Sequence, residues 1–467
     1  MAILLTLAPG ARVAWADGGD GAELHGPGGG VAAVSGGGMA AALARLADGP
    51  AAEADLVRAA REAEGAAALP TLFHHLRAWT AAGWLRLAVH DDAGRALAAA
   101  ACVAPHLALS AAPAHPERAL ALSRFALVRA EGGRAWLESP RSPLRVCLEA
   151  PEAAAAVLRL ARPATPARVA ADAGLSPGAA ADLLGLLHGA ALAVEHADGV
   201  PSPEEADPGL AHWEFHDLLF HARSRVGRQA GGYGGTYRME GRFPPLPAVR
   251  PPFAGAAVPL PRPDLDAVAE GDPPFTRVLE ERRSVRGSGA RAVTLAEVGE
   301  LLFRAARVRR LIPTPRGELS SRPYPGGGAC HELEVYLAVR ACDGLEPGLY
   351  HYDPGEHRLV RVEGGDPAAV RALLRDSAIV AHGAPPAQVL VVLAARFARV
   401  AWKYESMAYA LVLKDAGVLI QTLYLVATAM GLAPCALGGG NADLFARASG
   451  TDYYAEPSVA ELRLGAP

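Results

Sequence analysis

The stretch ARVAWKYESMAYALVLKDAGVLIQTLYLVATAMGLAPCALGGGNADLF, residues 398–445, decides how the chain is read. Its centre, residues 418–440, is apolar for long enough to suggest a membrane span. Gln421, Thr422, Thr428 and Pro434 interrupt it, and Lys414 and Asp415 stand just before it, so it reads instead as a helix buried in a protein core. The helix is expected to start near Glu405, with Lys403 and Tyr404 at its mouth. A lysine there opposes the helix macrodipole, which favours anions at that end, so it is either a surface group or an amine with a chemical task. The apolar QVLVVLAARF (388–397) lies directly before and reads as a strand.

Working towards the amino terminus, PFTRVLEERRSVRGSG (274–289) gathers four arginines around Ser284 at the end of a short helix. Arginine supplies forked donors of fixed charge and serine a hydroxyl, a set that holds a phosphate monoester. A solvated basic face is the plainer alternative. Next, TLAEVGELLFRAAR begins a helix at Thr294, with Glu297 placed to close a capping box. RPYPGGGACHELEVYLAV (322–339) then sets Pro325 and Gly326, Gly327 and Gly328 before a β-branched and aromatic run. Three glycines let backbone approach a flat ligand, and a tight turn accounts for them equally well.

The first two hundred residues contain a degenerate duplication, seen in the order of elements more than in identity. RVAWADGGDGAELHGP (12–27) turns on Gly-Gly and precedes a helix ending LARLADG; RFALVRAEGGRAWLESP (124–140) turns on Gly-Gly and precedes a helix ending VLRLARP. Each copy continues with two more helical patterns and a short apolar strand. Helix, helix, helix and hairpin is the winged-helix order, so two tandem winged-helix-like modules are expected. The third helix of the second copy offers only Asp182 and His188 as ionisable groups and that of the first only Arg77 with His74 and His75, short of the several Lys or Arg that phosphates require and of the Arg, Asn or Gln face that reads bases. Extended strands in front of the helices offer an exposed edge to which a peptide can add, and a purely structural role stands beside that reading.

With 467 residues, 51% hydrophobic and 20% charged, the chain is globular and has room for about three domains. A net charge of -4 supplies no basic field for nucleic acid or an anionic membrane. The five scattered cysteines form no CxxC, which fits a reducing cytoplasm and no structural zinc. The opening MAILLTLAPGARVAW lacks the basic segment of a secretory signal. The expected organisation is a winged-helix-like module over 1–115, a second over 116–200, a Pro/Gly-rich connector with one helix over 201–262, and an α+β domain over 263–467.

Taken in order, ERRSVR, RPYPGGGACHELEVYL, the KY pair, QTLYLVATAMGLAP, ALGGGNADLF and ELRLGAP resemble the nitroreductase-like flavoproteins. More narrowly, residues 213–467 resemble the SagB/ThcOx (McbC-like) azoline dehydrogenases, which oxidise thiazoline and oxazoline rings in ribosomally made peptides. The duplicated front is similar to the peptide-clamp domains attached to some members. The resemblance implies FMN, with phosphate and ribityl contacts from Arg282, Arg283, Ser284 and Arg286. It places Pro325, Gly326, Gly327 and Gly328 along the flavin, and Leu437, Gly438 and Gly439 against the ring system. Lys403 and Tyr404 match the catalytic pair.

Two departures stand out: Gly326 where serine is common, and Gly440 where an aromatic is common. The chemistry implied takes the acidic Cα proton onto Lys403 or Tyr404 and a hydride onto the flavin, with oxygen regenerating it. An azoline-bearing precursor peptide, a cyclodehydratase partner and a homodimer with FMN at its interface are implied as well. The alternatives are an NAD(P)H-dependent nitro or quinone reductase and a non-catalytic peptide-binding scaffold.

Overall fold

The computed structural model describes residues 3–15, 21–103, 114–229 and 231–467. Contacts divide the chain into Met1–Gly231 and Gly232–Pro467, and the stretch expected as a connector is split between the two.

In the first unit β1 (Leu4–Leu7), β2 (Arg12–Trp15), β3 (Gly21–His25) and β4 (Val31–Ser35) precede α1 (Gly37–Ala47), β5 (Ala51–Ala52), α2 (Glu53–Glu64) and α3 (Leu69–Ala81). A hairpin of β6 (Leu85–His90) and β7 (Ala96–Cys102) follows. The order then recurs as β8 (Ala119–Leu122), β9 (Leu127–Glu131), β10 (Arg134–Glu138), β11 (Leu144–Leu148), α4 (Pro151–Arg159), α5 (Pro166–Ala173), α6 (Pro177–Gly189) and β12 (Ala193–His196). Local chemistry sets these boundaries. Thr165 and Ser176 cap α5 and α6 by accepting from Arg168 and Ala179 backbone N–H, and proline fills each first turn. Gly132 and Gly133, both at positive φ, make the turn from β9 to β10; the corresponding Gly18-Gly19 lies outside the described residues.

The two copies share one seven-stranded sheet, ordered β5-β1-β6-β7-β11-β10-β9, while β2-β3-β4 form a sheet of their own. The unit ends with α7 (Pro203–Ala206), α8 (Pro208–Ala211) and α9 (Phe215–Arg223).

The second unit runs β13 (Ala257–Pro259), α10 (Leu265–Gly271), α11 (Phe275–Glu281), β14 (Val293–Thr294), α12 (Leu295–Ala306), β15 (Arg310–Thr314), β16 (Gly317–Ser321), β17 (Leu333–Val339), β18 (Cys342–Asp343), β19 (Gly348–Asp353) and β20 (Arg358–Arg361). It continues with α13 (Pro367–Val380), β21 (Val389–Ala395), α14 (Phe397–Ala401), α15 (Ala408–Ala429), β22 (Ala433–Leu437), α16 (Ala442–Ser449) and β23 (Ser458–Gly465). The main sheet, ordered β13-β20-β19-β17-β21-β23-β22, is antiparallel throughout. Every residue of the central β17 and β21 is buried. Such runs suit strands covered on both faces: residues of α12 and α15 pack in one core cluster and those of α13 and α16 in another.

The capping box forms as its spacing requires, with Thr294 Oγ1 accepting from Glu297 N at 3.2 Å and Glu297 Oε2 accepting from Thr294 N at 2.8 Å. By length and composition α15 could cross a membrane, and its Val412, Leu419, Leu423 and Ala427 are fully buried in the domain core.

Candidate active site

Helix α15 is the rod on which the second unit assembles its candidate groups. Tyr424, near its carboxy-terminal end, sets its hydroxyl 2.8 Å from Ser284 Oγ and accepts from Ala436 N at 2.7 Å. Val285 N donates to Pro434 O at 2.8 Å, so the loop after α11 lies across the end of α15 and β22. The Arg282 guanidinium sits 5.4 Å from the Tyr424 ring centre. Arg283 and Arg286 are exposed. Among the described residues none of these three arginines has a carboxylate partner. Like charges this close favour an external anion.

Asp415, nine residues earlier and so about 13 Å along the helix, accepts from Gly327 N at 2.8 Å. That bond fixes the Pro325–Gly326–Gly327–Gly328 loop. Gly328 has φ 59°, and a Cβ there would lie 2.2 Å from the Tyr404 hydroxyl and 2.6 Å from Lys403 Nζ. The left-handed turn favours glycine there, and its bare Cα lets the ends of the Lys403 and Tyr404 side chains come in over the loop. Lys403 Nζ donates to Gly328 O at 3.4 Å.

Leu437, Gly438 and Gly439 follow Ala436, whose N–H is held by Tyr424. Among the described residues a Cβ on Gly438 or Gly439 would meet no atom within 4 Å, and neither glycine has positive φ. Nothing internal requires glycine at either position, whereas a close ligand would. A Cβ on Gly440 would fall 2.1 Å from the buried Glu461 carboxylate, which leaves no room for an aromatic there. The structure thus joins the arginine loop to the 437–439 turn through Tyr424, and the glycine loop to Lys403 and Tyr404 through Gly328. α15 links the two groups.

The expected helix start needs correction. α15 begins at Ala408, and Lys403 and Tyr404 lie in the link after α14, so the macrodipole argument for the lysine does not apply. Ser406 at φ 63° breaks the helical path. The backbone of 403–405 is occupied elsewhere: Tyr237 N donates to Lys403 O at 3.1 Å, and Gly234 and Glu405 exchange hydrogen bonds. The Glu405 carboxylate accepts from Thr236 Oγ1 at 2.8 Å.

A cavity of about 500 Å³ opens beside Lys403, with Tyr237, Glu318, Cys330, Arg399 and Trp402 in its walls. Sequence reasoning missed Arg399. Its guanidinium is buried and donates to Cys330 O, to Leu246 O at 2.6 Å and to Glu318 O at 2.7 Å. Burial pulls its pKa down to about 10, which leaves it a cation at neutral pH.

Glu332 and Asp415 were missed too. Glu332 is fully buried, and burial, then the neighbouring Asp415, push its pKa up to about 7. Asp415 is raised by burial, against which the Gly327 N–H favours its charged form. Both folded values lie above the unfolded ones, so this contribution to stability is complete below about pH 4.5 and is lost as pH rises through about 7. Glu332→Gln stays neutral at all pH. It is expected to flatten the fall in melting temperature between pH 5 and 8 by several degrees, read by scanning calorimetry; a variant as pH-sensitive as the parent would refute the assignment.

The comparisons with known proteins fall on both units. Residues 279–460 match the model of the nitroreductase family, and residues 120–230 that of the cyanobactin oxidase ThcOx. A protein of Methanocaldococcus jannaschii named for nitroreductase activity is 31% identical over 179 residues, which are 38% of this chain and 81% of that one. The trifolitoxin-processing protein TfxB of Rhizobium leguminosarum bv. trifolii is 29% identical over 135 residues. That match spans 28% of this chain and about a third, 36%, of TfxB. A chain of the E. coli microcin synthetase McbBCD complex, solved with a truncated precursor bound, is 20% identical, with 53% of this chain and 86% of that one aligned at a TM-score of 0.33.

Proposed function

Since the chain belongs to the nitroreductase family and carries a cyanobactin-oxidase region in front, we propose that it is an FMN-dependent dehydrogenase converting thiazoline or oxazoline rings in a ribosomally made peptide to thiazole or oxazole. One observation carries the reading: Lys403 and Tyr404 converge on Gly328 at the edge of the 500 Å³ cavity. Dehydrogenating an azoline removes a Cα proton as well as a hydride, so it requires a base where the ring sits.

The residues present fit FMN. Three guanidiniums without carboxylate partners among the described residues and the Ser284 hydroxyl suit its phosphate, while the Gly326, Gly327 and Gly328 loop and the Leu437, Gly438 and Gly439 turn offer backbone to its ring system. When bound, FMN supplies the hydride acceptor. Lys403 or Tyr404 accepts the Cα proton, and Asp415 holds the glycine loop at a fixed distance from both. The front unit, read as two winged-helix-like clamps, retains the peptide so that remote contacts orient a small ring. The reading also expects a homodimer in the cytoplasm and a cyclodehydratase that makes the azoline.

The test is to incubate the purified yellow chain with an azoline-bearing peptide in air and follow its mass. Loss of two hydrogens per ring supports the proposal. No loss, together with rapid bleaching of the flavin by NAD(P)H, would instead mark a nitro or quinone reductase.

A further inference from the structure

Backbone strain gathers around Lys403. Among the described residues seven other than glycine have positive φ. Four of these, Tyr237, Ala329, His331 and Ser406, are bonded to Lys403 or stand within three residues of it or of Gly328. Strained backbone persists only where the surrounding structure over-determines it, and it concentrates where function needs fixed geometry. Tyr237, at φ 55°, is the bulkiest of the four, and a large ring is rare in that region.

Lys403 lies in the link between α14 and α15, so its backbone is held by individual bonds rather than by a helix. Its N–H reaches Val400 O at 3.1 Å, and its carbonyl accepts from Tyr237 N at 3.1 Å. Tyr237 O accepts from Glu240 N at 2.8 Å, which closes a tight turn. The Tyr237 ring stands edge-on to Trp402, with centroids 5.7 Å apart at 81°. The Arg316 guanidinium lies over the Tyr237 ring at 4.1 Å, and Arg316 Nε donates to Glu240 Oε1 at 3.0 Å. One side chain therefore clamps both ends of the turn. Arg316 comes from the tip of the β15–β16 hairpin, where a Cβ on Gly317 would fall 2.9 Å from the Pro245 ring. Trp402 Nε1 completes the circuit by donating to Phe243 O at 2.7 Å. Tyr237, Glu240, Arg316, Trp402 and Lys403 all line the cavity of about 500 Å³.

The amine itself is only loosely tethered, since its 3.4 Å approach to Gly328 O is longer than an ordinary hydrogen bond. A four-carbon stem reaches many places unless its root is fixed. Resting on the reading of Lys403 as a proton acceptor, we propose that Tyr237 is its positioning residue. The strained turn at 237–240, latched by Arg316, fixes the backbone and flank of Lys403 so that the amine meets the cavity at one place. The outer wall of the cavity and the aim of the base are then one device, and the bonds that aim the lysine are those that sustain the strain.

The experiment uses the full chain, in which Lys403 and Lys414 are the only lysines. Reductive methylation with carbon-13 formaldehyde therefore gives two dimethyl-lysine signals beside that of the amino terminus, and Lys403→Arg identifies one of them. Lys403 Nζ lies 5.2 Å from the Tyr404 ring centre, so a fixed amine has a ring-current shift that a freely rotating one loses. Arg316→Met removes the latch and leaves every ring in place. Tyr237→Gly relaxes the turn and removes the ring. Each is expected to move the Lys403 signal most of the way to that of the exposed Lys414. On unmethylated protein each is expected to lower kcat for azoline oxidation by about tenfold or more, with KM within about threefold, as a misplaced reacting group does. Tyr237→Phe restores the ring and is expected to recover most of both readouts. Circular dichroism matching the parent establishes that each variant is folded. A Lys403 signal unmoved in both Arg316→Met and Tyr237→Gly, a kcat unchanged although the signal moves, or a Tyr237→Phe that behaves as Tyr237→Gly overturns the proposal. Signals that move as expected in a chain whose parent oxidises no azoline support the positioning and defeat the enzymatic reading alone.

Discussion

Lys403→Ala is expected to slow azole formation by two to four orders of magnitude, the usual span of a positioned general base, with FMN retained. The amine lies beside the cavity and only 3.4 Å from the Gly328 carbonyl, so its removal subtracts a proton acceptor without opening the core. The alanine leaves the Gly328 turn intact, because its positive φ is set by the loop and not by the lysine. Single-turnover kinetics on an azoline peptide, with flavin content read from absorbance, separates the outcomes. A rate within threefold of the parent at full flavin occupancy would show that the base lies elsewhere. Tyr404→Phe divides the labour: a comparable loss makes the phenol the proton acceptor, and a small one leaves it as the residue that orients the lysine.

Arg399→Ala has a different expected signature. The guanidinium ties the carbonyls of Leu246, Glu318 and Cys330, which belong to three separate segments around the cavity. Truncation takes the donor from one buried and two partly buried acceptors and creates a void, for a loss of about 3 kcal/mol. Arg399→Lys keeps the charge but lacks the planar fork, and should recover only part of it. Denaturant titration of the full chain, followed through flavin fluorescence, reports the transition of the unit that holds the site. A midpoint unchanged in Arg399→Ala would mean that water replaces the guanidinium and that the three segments hold themselves in place.

What the sequence disclosed was mainly what neighbouring residues decide among themselves. The Thr294 and Glu297 box, the glycine turn before β17 and the adjacency of Lys403 with Tyr404 are local, and each appears where its pattern requires. Tyr424 and Asp415 could not be recognised this way, since their partners Ser284 and Gly327 are 140 and 88 residues away. The late start of α15 was hidden for the same reason: the residues that occupy the backbone of 403–405 come from 234–237. Nor does Ala96–Cys102, ALAAAAC, announce a strand. Alanine favours helix, and only burial between β6 and β11 makes the extended form the better one.

The sheet shared by the two copies also dictates an order of events as the protein is made. β2, β3 and β4 pair with near neighbours and can close as soon as Ser35 has left the ribosome. β1 must wait for β6, about eighty residues later, and β7 for β11, about fifty. Ring closures of that length slow folding, so the small sheet at the front stands complete while the large one behind it is still being assembled.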